Sequence, residues 1–156
     1  MNQYLKCFLI LLSAGILFSG SVTAQTFGKK PVWQKSQLIE PAAMMAILKN
    51  PNAKKPPLYN IGFVSDIPGS VNLGAARDQT GLQKLKNAVR SIPKDRMVVI
   101  YCGCCPFENC PNVRPAYQLL QELGYKQTKI LNLPTSLKAD WIDKGYPVNK
   151  DLKAIK

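Results

Sequence analysis

From position 38 onward, short apolar runs alternate with stretches whose apolar residues recur at helical spacing. Leu38-Ile39 is a short strand candidate. Pro41 suits a first helical turn, where a missing N–H costs no hydrogen bond, and Met44, Met45 and Leu48 continue the helical face until Asn50-Pro51. The two methionines read as core filling. A strand is predicted at Leu58–Ile61, stopped by Gly62, and a turn and strand within DIPGSVNLG, residues 66–74. Leu82, Leu85, Val89 and Ile92 share one helical face before Pro93. Met97–Tyr101 is a continuous apolar run, the pattern of a strand covered on both faces of a parallel sheet. Ala116, Leu119, Leu120 and Leu123 mark a further helix stopped by Gly124, and Lys129–Leu133 a further strand. Strands alternating with helices in this way predict an α/β domain with a mostly parallel sheet.

The N-terminus follows a different pattern. One positive charge, Lys6, precedes an apolar stretch from Phe8 to Phe18, and small residues lead to Val22-Thr23-Ala24. That order predicts a secretory signal peptide over residues 1–24, cleaved after Ala24. Its apolar core is about 11 residues, short of the roughly 18 to 20 that span a bilayer, so no membrane anchor is expected after cleavage. The protein is expected to be exported, to a periplasm or the extracellular space. Residues 25–36 read as an irregular basic arm, with Trp33 as a surface-covering aromatic, residues 37–148 as one domain, and 149–156 as a basic tail. The net charge is +12. Its lysines are scattered rather than lining one helix or alternating with aromatics, so no nucleic-acid partner is expected.

Cysteine changes the picture most. Cys7 falls in the signal segment, which leaves Cys102, Cys104, Cys105 and Cys110 in the loop after the apolar run. Disulfides stabilise most when they close long loops; these four thiols tie nothing distant together, so they read as a site. Four uses compete: a nucleophile, a metal centre, loop-shaping disulfides, and a thiol–disulfide switch. As a nucleophile, Cys102 has the strand-end position, where following backbone N–H groups and a helix dipole favour the thiolate. Cys110, in CPNVR, lies closer to the helix start. Arg114 adds a permanent charge and a planar donor fork, and Pro115 places it at or just before the start of that helix. As metal ligands, Cys102, Cys104, Cys105 and Cys110 suit copper(I) better than zinc, because all four crowd into one loop. As disulfides, neighbouring Cys104 and Cys105 are the least suitable pair. Cys102 to Cys105 also has the C-x-x-C spacing of redox pairs. The chain has no histidine, so no Cys-His dyad can form. Phe107 and Glu108 receive no catalytic role, and Trp141 and Tyr146 read as core and cap aromatics.

IPGSVNLG (67–74), VVIYC (98–102), an arginine opening the next helix, LGY (123–125) and Trp141 followed by GYPV (145–148) together resemble a rhodanese domain over roughly residues 37–148. The resemblance implies a five-stranded, mostly parallel sheet flanked by helices, and sulfur transfer without a cofactor. It implies that the cysteine matching Cys102 attacks a small anionic sulfane donor such as thiosulfate, with Arg114 matching the family's arginine. The resulting persulfide would be held by loop N–H groups and passed to a thiol or to cyanide. Several positions depart from the family pattern. Residues 103–113 separate Cys102 from Arg114, a longer loop than usual, which keeps a compact ring of N–H groups only if the extra residues bulge aside. The aspartate usual near the end of the second strand either appears as Asn60 or is missing, Asp66 stands where a histidine commonly precedes IPG, and Leu133-Pro134-Thr135 replaces a glycine pair.

Overall fold

The computed structural model describes residues 33–149. The expected signal segment and its expected cleavage site, the arm before Trp33 and the tail from residue 150 lie outside the described residues. A 3-10 turn at Lys35–Gln37 leads into β1 (Leu38–Ile39), α1 (Pro41–Lys49), β2 (Leu58–Asn60) and β3 (Ser70–Asn72). Then come α2 (Gln79–Val89), β4 (Val98–Tyr101), a 3-10 turn at Phe107–Asn109, and α3 (Val113–Glu122). β5 (Thr128–Leu131), α4 (Leu137–Asp140) and a last 3-10 turn at Ile142–Lys144 complete the order.

The five strands form one sheet in the order β1-β5-β4-β2-β3. Every pairing is parallel, with Leu58 opposite Val99 and Ile100 opposite Ile130 at the centre. The apolar run at 98–101 is thus the central strand, and all four of its residues are buried. Its side chains alternate between two cores, as a pleated strand requires. Val98 and Ile100 pack with Leu85 and Val89 of α2 and Ala116 and Leu120 of α3. Val99 and Tyr101 pack with Met44 and Met45 of α1, Leu137 of α4 and Trp141. Burying each such aliphatic side chain contributes about 1.5–3 kcal/mol, so the two cores hold the sheet between two helical layers.

The expected elements are present with small shifts at their ends. α1 has Pro41 in its first turn and ends before Asn50. β5 stops at Leu131 rather than Leu133, although Asn132 N–H still donates to Ile39 O at 2.9 Å. Leu133 turns into the core instead. The helix after the cysteine loop begins at Val113, so Arg114 lies within its first turn. Pro115 is accommodated there because the first N–H groups of a helix have no intrahelical partner. Trp33 packs back on the domain, edge-on to Tyr117 with ring centroids 5.2 Å apart, and is buried with the α2–α3 core. Trp141 is buried against Tyr146 at 5.0 Å and donates its indole N–H to Pro147 O. No helix among the described residues is long and apolar enough to cross a membrane.

Candidate active site

The alternation along β4 decides where the first thiol goes. Cys102 continues the Val98–Ile100 side, so it faces α3 and is only 2% exposed. Gly103 then turns the chain at φ +76°, a region side chains avoid, and its carbonyl accepts the N–H of Leu137 at 2.9 Å. A Cβ at Gly103 would stand 2.7 Å from Leu137 Cβ, so α4 packs directly on this turn. The turn brings Cys104 Sγ back to 3.1 Å from Cys102 Sγ, while Cys104 itself stays exposed. Cys105 Sγ lies 3.6 Å from Cys104 Sγ.

The rest of the loop folds inward. Phe107 is buried in the α2–α3 core, and the 3-10 turn it opens returns the chain to Cys110, which is 4% exposed. The long loop is therefore pinned through its middle rather than bulging aside. The sulfurs of Cys102, Cys104 and Cys110 all lie within 4.8 Å of one another. Cys105 lies outside this group of three, so the loop gathers three thiols, not four, in range of a single metal ion.

Two side groups frame Cys102 that the spacing of the sequence did not single out. Asn112, buried ahead of α3, donates from Nδ2 to Cys102 Sγ at 3.4 Å. Its Oδ1 accepts the backbone N–H of Arg77 at 2.9 Å, which fixes the amide's orientation. On another side stands Gly62, where a Cβ would lie 2.4 Å from Cys102 Sγ. Gly62 is held in turn by Asn60, whose Oδ1 accepts the Gly62 N–H at 3.1 Å. Asn60 Nδ2 donates to Val64 O and to Asp66 Oδ1, and Asn72 Nδ2 donates to the same Asp66 oxygen at 3.0 Å. The two departures at 60 and 66 thus form one network behind the thiol. The only local hint of Asn112's role was an asparagine just ahead of a helix.

The charge of the site rests on the Cys102–Cys110 pair. Cys102 Sγ lies within 4.8 Å of Cys110 Sγ and is buried, and the neighbouring thiol and the burial both push its pKa up. Cys110 is lowered to about 5, first by the neighbouring Cys102 thiol and then by the backbone N–H groups of Asn112 and Val113 at the start of α3. The two shifts have opposite sign because neighbouring thiols titrate as a pair, and the helix N-terminus beside Cys110 favours the charge there. Cys105 is pushed up to about 12 by burial and by its thiol neighbours Cys104 and Cys110.

Arg114 is placed differently. It is exposed, and its guanidinium lies 5.4 Å from the centre of the Trp33 ring, a cation–π arrangement. Among the described residues it forms no hydrogen bond with a thiol. Clefts of about 270 and 390 Å³ lie elsewhere, the first lined by Glu40, Asn132 and Tyr146, the second by Lys54, Asp95 and Arg96.

No protein-family model matches the chain, and no curated protein matches it. Among solved structures, the single-domain sulfurtransferase RDL2 of Saccharomyces cerevisiae is 17% identical at a TM-score of 0.51, over 73% of this chain and 98% of that one. A variant of EanB in complex with hercynine is 19% identical at a TM-score of 0.53, over 77% of this chain but only 29% of EanB. An EanB structure carrying a cysteine persulfide with ergothioneine matches at 19% identity and a TM-score of 0.51, over 72% of this chain and 27% of that one. With its five parallel strands between helical layers, the chain has the rhodanese-like α/β fold of these proteins.

Proposed function

We propose that this protein is an exported sulfurtransferase that carries sulfane sulfur as a persulfide on Cys102. The observation that carries the reading is the buried Cys102 sulfur at the carboxyl end of the central strand, within 4.8 Å of Cys110 just ahead of α3. That is where ligands bind in open α/β sheets. The shared fold with a single-domain sulfurtransferase and with a protein solved as a cysteine persulfide supports it.

In the proposed reaction the Cys102 proton passes to the Cys110 thiolate as Cys102 sulfur attacks the outer sulfur of thiosulfate. The S–S bond of the donor breaks, and its electron pair leaves on sulfite. Asn112 Nδ2–H donates to the attacking sulfur. An acceptor thiol or cyanide then attacks the outer sulfur of the persulfide, and Cys102 leaves as the thiolate. No cofactor enters either step.

A second reading follows from the three sulfurs within 4.8 Å of one another. Cys102, Cys104 and Cys110 could ligate a soft ion such as copper(I), with zinc less suited because a closed zinc site takes four ligands. One experiment separates the two. Reduced, metal-free protein is treated with thiosulfate and its intact mass and released sulfite are measured. Sulfite release with the outer sulfur recovered either on the protein or as sulfide, both absent in Cys102→Ser, supports transfer. Absence of both, together with stoichiometric copper(I) binding lost in the same variant, supports the metal site.

A further inference from the structure

Cys102 and Cys110 are buried, yet the exposed Cys104 lies against Cys102. Cys104 Sγ stands 3.1 Å from Cys102 Sγ, closer than its 3.6 Å to Cys105. This contact is set by the backbone. The positive φ of Gly103 reverses the chain between the two cysteines, and the Leu137 N–H and the Leu137 and Leu133 side chains hold that turn in place. Gly62 and Asn112 occupy other sides of the Cys102 sulfur. A sulfur bound to Cys102 therefore has a second thiol already in reach, anchored so that it meets the inner sulfur atom.

We propose that Cys104 is a resolving thiol that attacks the inner sulfur of the Cys102 persulfide and releases hydrosulfide. This inference rests on the persulfide reading above and extends it to a second reaction. The Cys104 sulfur forms a new S–S bond to Cys102 Sγ as its thiol proton passes to the outer sulfur. The bond between Cys102 Sγ and the outer sulfur breaks, and its electron pair leaves on that sulfur as hydrosulfide. The two cysteine thiols together lose two electrons, which the sulfane sulfur gains. With thiosulfate as donor, the reduced protein yields one sulfite, one hydrosulfide and one Cys102–Cys104 disulfide. An external dithiol reductant restores the two thiols. The site thereby chooses between two outcomes: an acceptor that arrives first takes the outer sulfur, and otherwise Cys104 converts it to sulfide.

The test uses the mature chain, reduced, freed of reductant under anaerobic conditions and given one equivalent of thiosulfate. Sulfite, sulfide and intact mass are followed together, and disulfides are mapped by peptide mass. The wild type should release sulfite and sulfide in equal amounts and end two hydrogens lighter, with Cys102 joined to Cys104. Cys104→Ser, at an exposed position that leaves the packing intact, should still release sulfite but lose sulfide release and remain one sulfur heavier. Sulfite without sulfide in the wild type would overturn the resolving role and leave the transfer reading standing. So would equal sulfide release by Cys104→Ser, or a disulfide mapped to Cys102–Cys110. Absence of sulfite from both proteins would overturn the transfer reading itself, and this inference with it.

Discussion

The closeness of the Cys102 and Cys110 sulfurs makes the site sensitive to single atoms. Removing the neighbouring thiol with Cys102→Ala should raise the Cys110 pKa from about 5 toward the ordinary thiol value of about 8.5. The rise should be incomplete, because the Asn112 and Val113 N–H groups remain. Thiolate absorbance against pH checks this; an unchanged midpoint would remove Cys102 as the cause. The same pair predicts how stability depends on pH. A depressed acid such as Cys110 stabilises the fold fully above its unfolded value of about 8.5, and that contribution is lost as pH falls toward about 5. The raised Cys102 acts in the opposite sense: its contribution is present below about 8.5 and lost at higher pH. Urea unfolding should therefore show stability rising from about pH 5 to 8.5, and Cys110→Ser should flatten that rise. Asn112 offers a second test, since it both donates to Cys102 and accepts from Arg77. Asn112→Ala should cost about 1–3 kcal/mol, because the Arg77 N–H loses its partner. Asn112→Asp keeps that acceptor but sets a carboxylate against the sulfur. It should lose less stability than Asn112→Ala and still slow sulfite release. Equal sulfite rates in both variants and the wild type would reduce Asn112 to a structural role.

At the scale of elements, the loop between β4 and α3 shows what a sequence reveals and what it hides. The apolar run at 97–101 could be read as a central strand because continuous burial leaves a continuous apolar signature, and the strand end then located Cys102. The helix starting at Val113 was legible from its periodic apolar face, which also made Cys110 a candidate for the dipole. Phe107 was not legible. It lies in a three-residue turn, too short for any period, and its burial depends on the core that α2 and α3 create together. Nor was the Asn112–Cys102 contact, which requires Arg77, distant in sequence, to fix the amide. Phe107 gives this picture a test. Phe107→Ala should cost about 3–5 kcal/mol if the ring is a full core member. It should also loosen Cys110 and its hold on the charge, moving the thiolate midpoint upward. A large stability loss with an unmoved midpoint would show that the 3-10 turn packs the domain without positioning the thiol.

Over the whole molecule, the sequence carries a net charge of +12, and the site is proposed to take a dianion. Such a field raises the encounter rate with anions and is screened by salt over a Debye length of about 8–10 Å near physiological ionic strength. Arg114 belongs to this field and also to the packing of the arm, since its guanidinium lies over Trp33 rather than on a thiol. Those two parts can be separated. Arg114→Gln removes the charge, whereas Arg114→Lys keeps it and loses the planar fork. If Arg114 acts by drawing the anion, the Gln variant should use thiosulfate less well at low salt, and the difference from wild type should shrink as salt is added. The Lys variant should stay close to wild type. Alkylation by neutral iodoacetamide supplies the control, because no charge on the reagent responds to the field; its rate should change little with salt. If Arg114 instead grips the donor through its fork, Lys and Gln should be equally impaired and salt should not rescue the difference. If all three proteins use thiosulfate alike at every salt concentration, the arginine serves only the Trp33 contact, and the remaining basic surface carries the attraction.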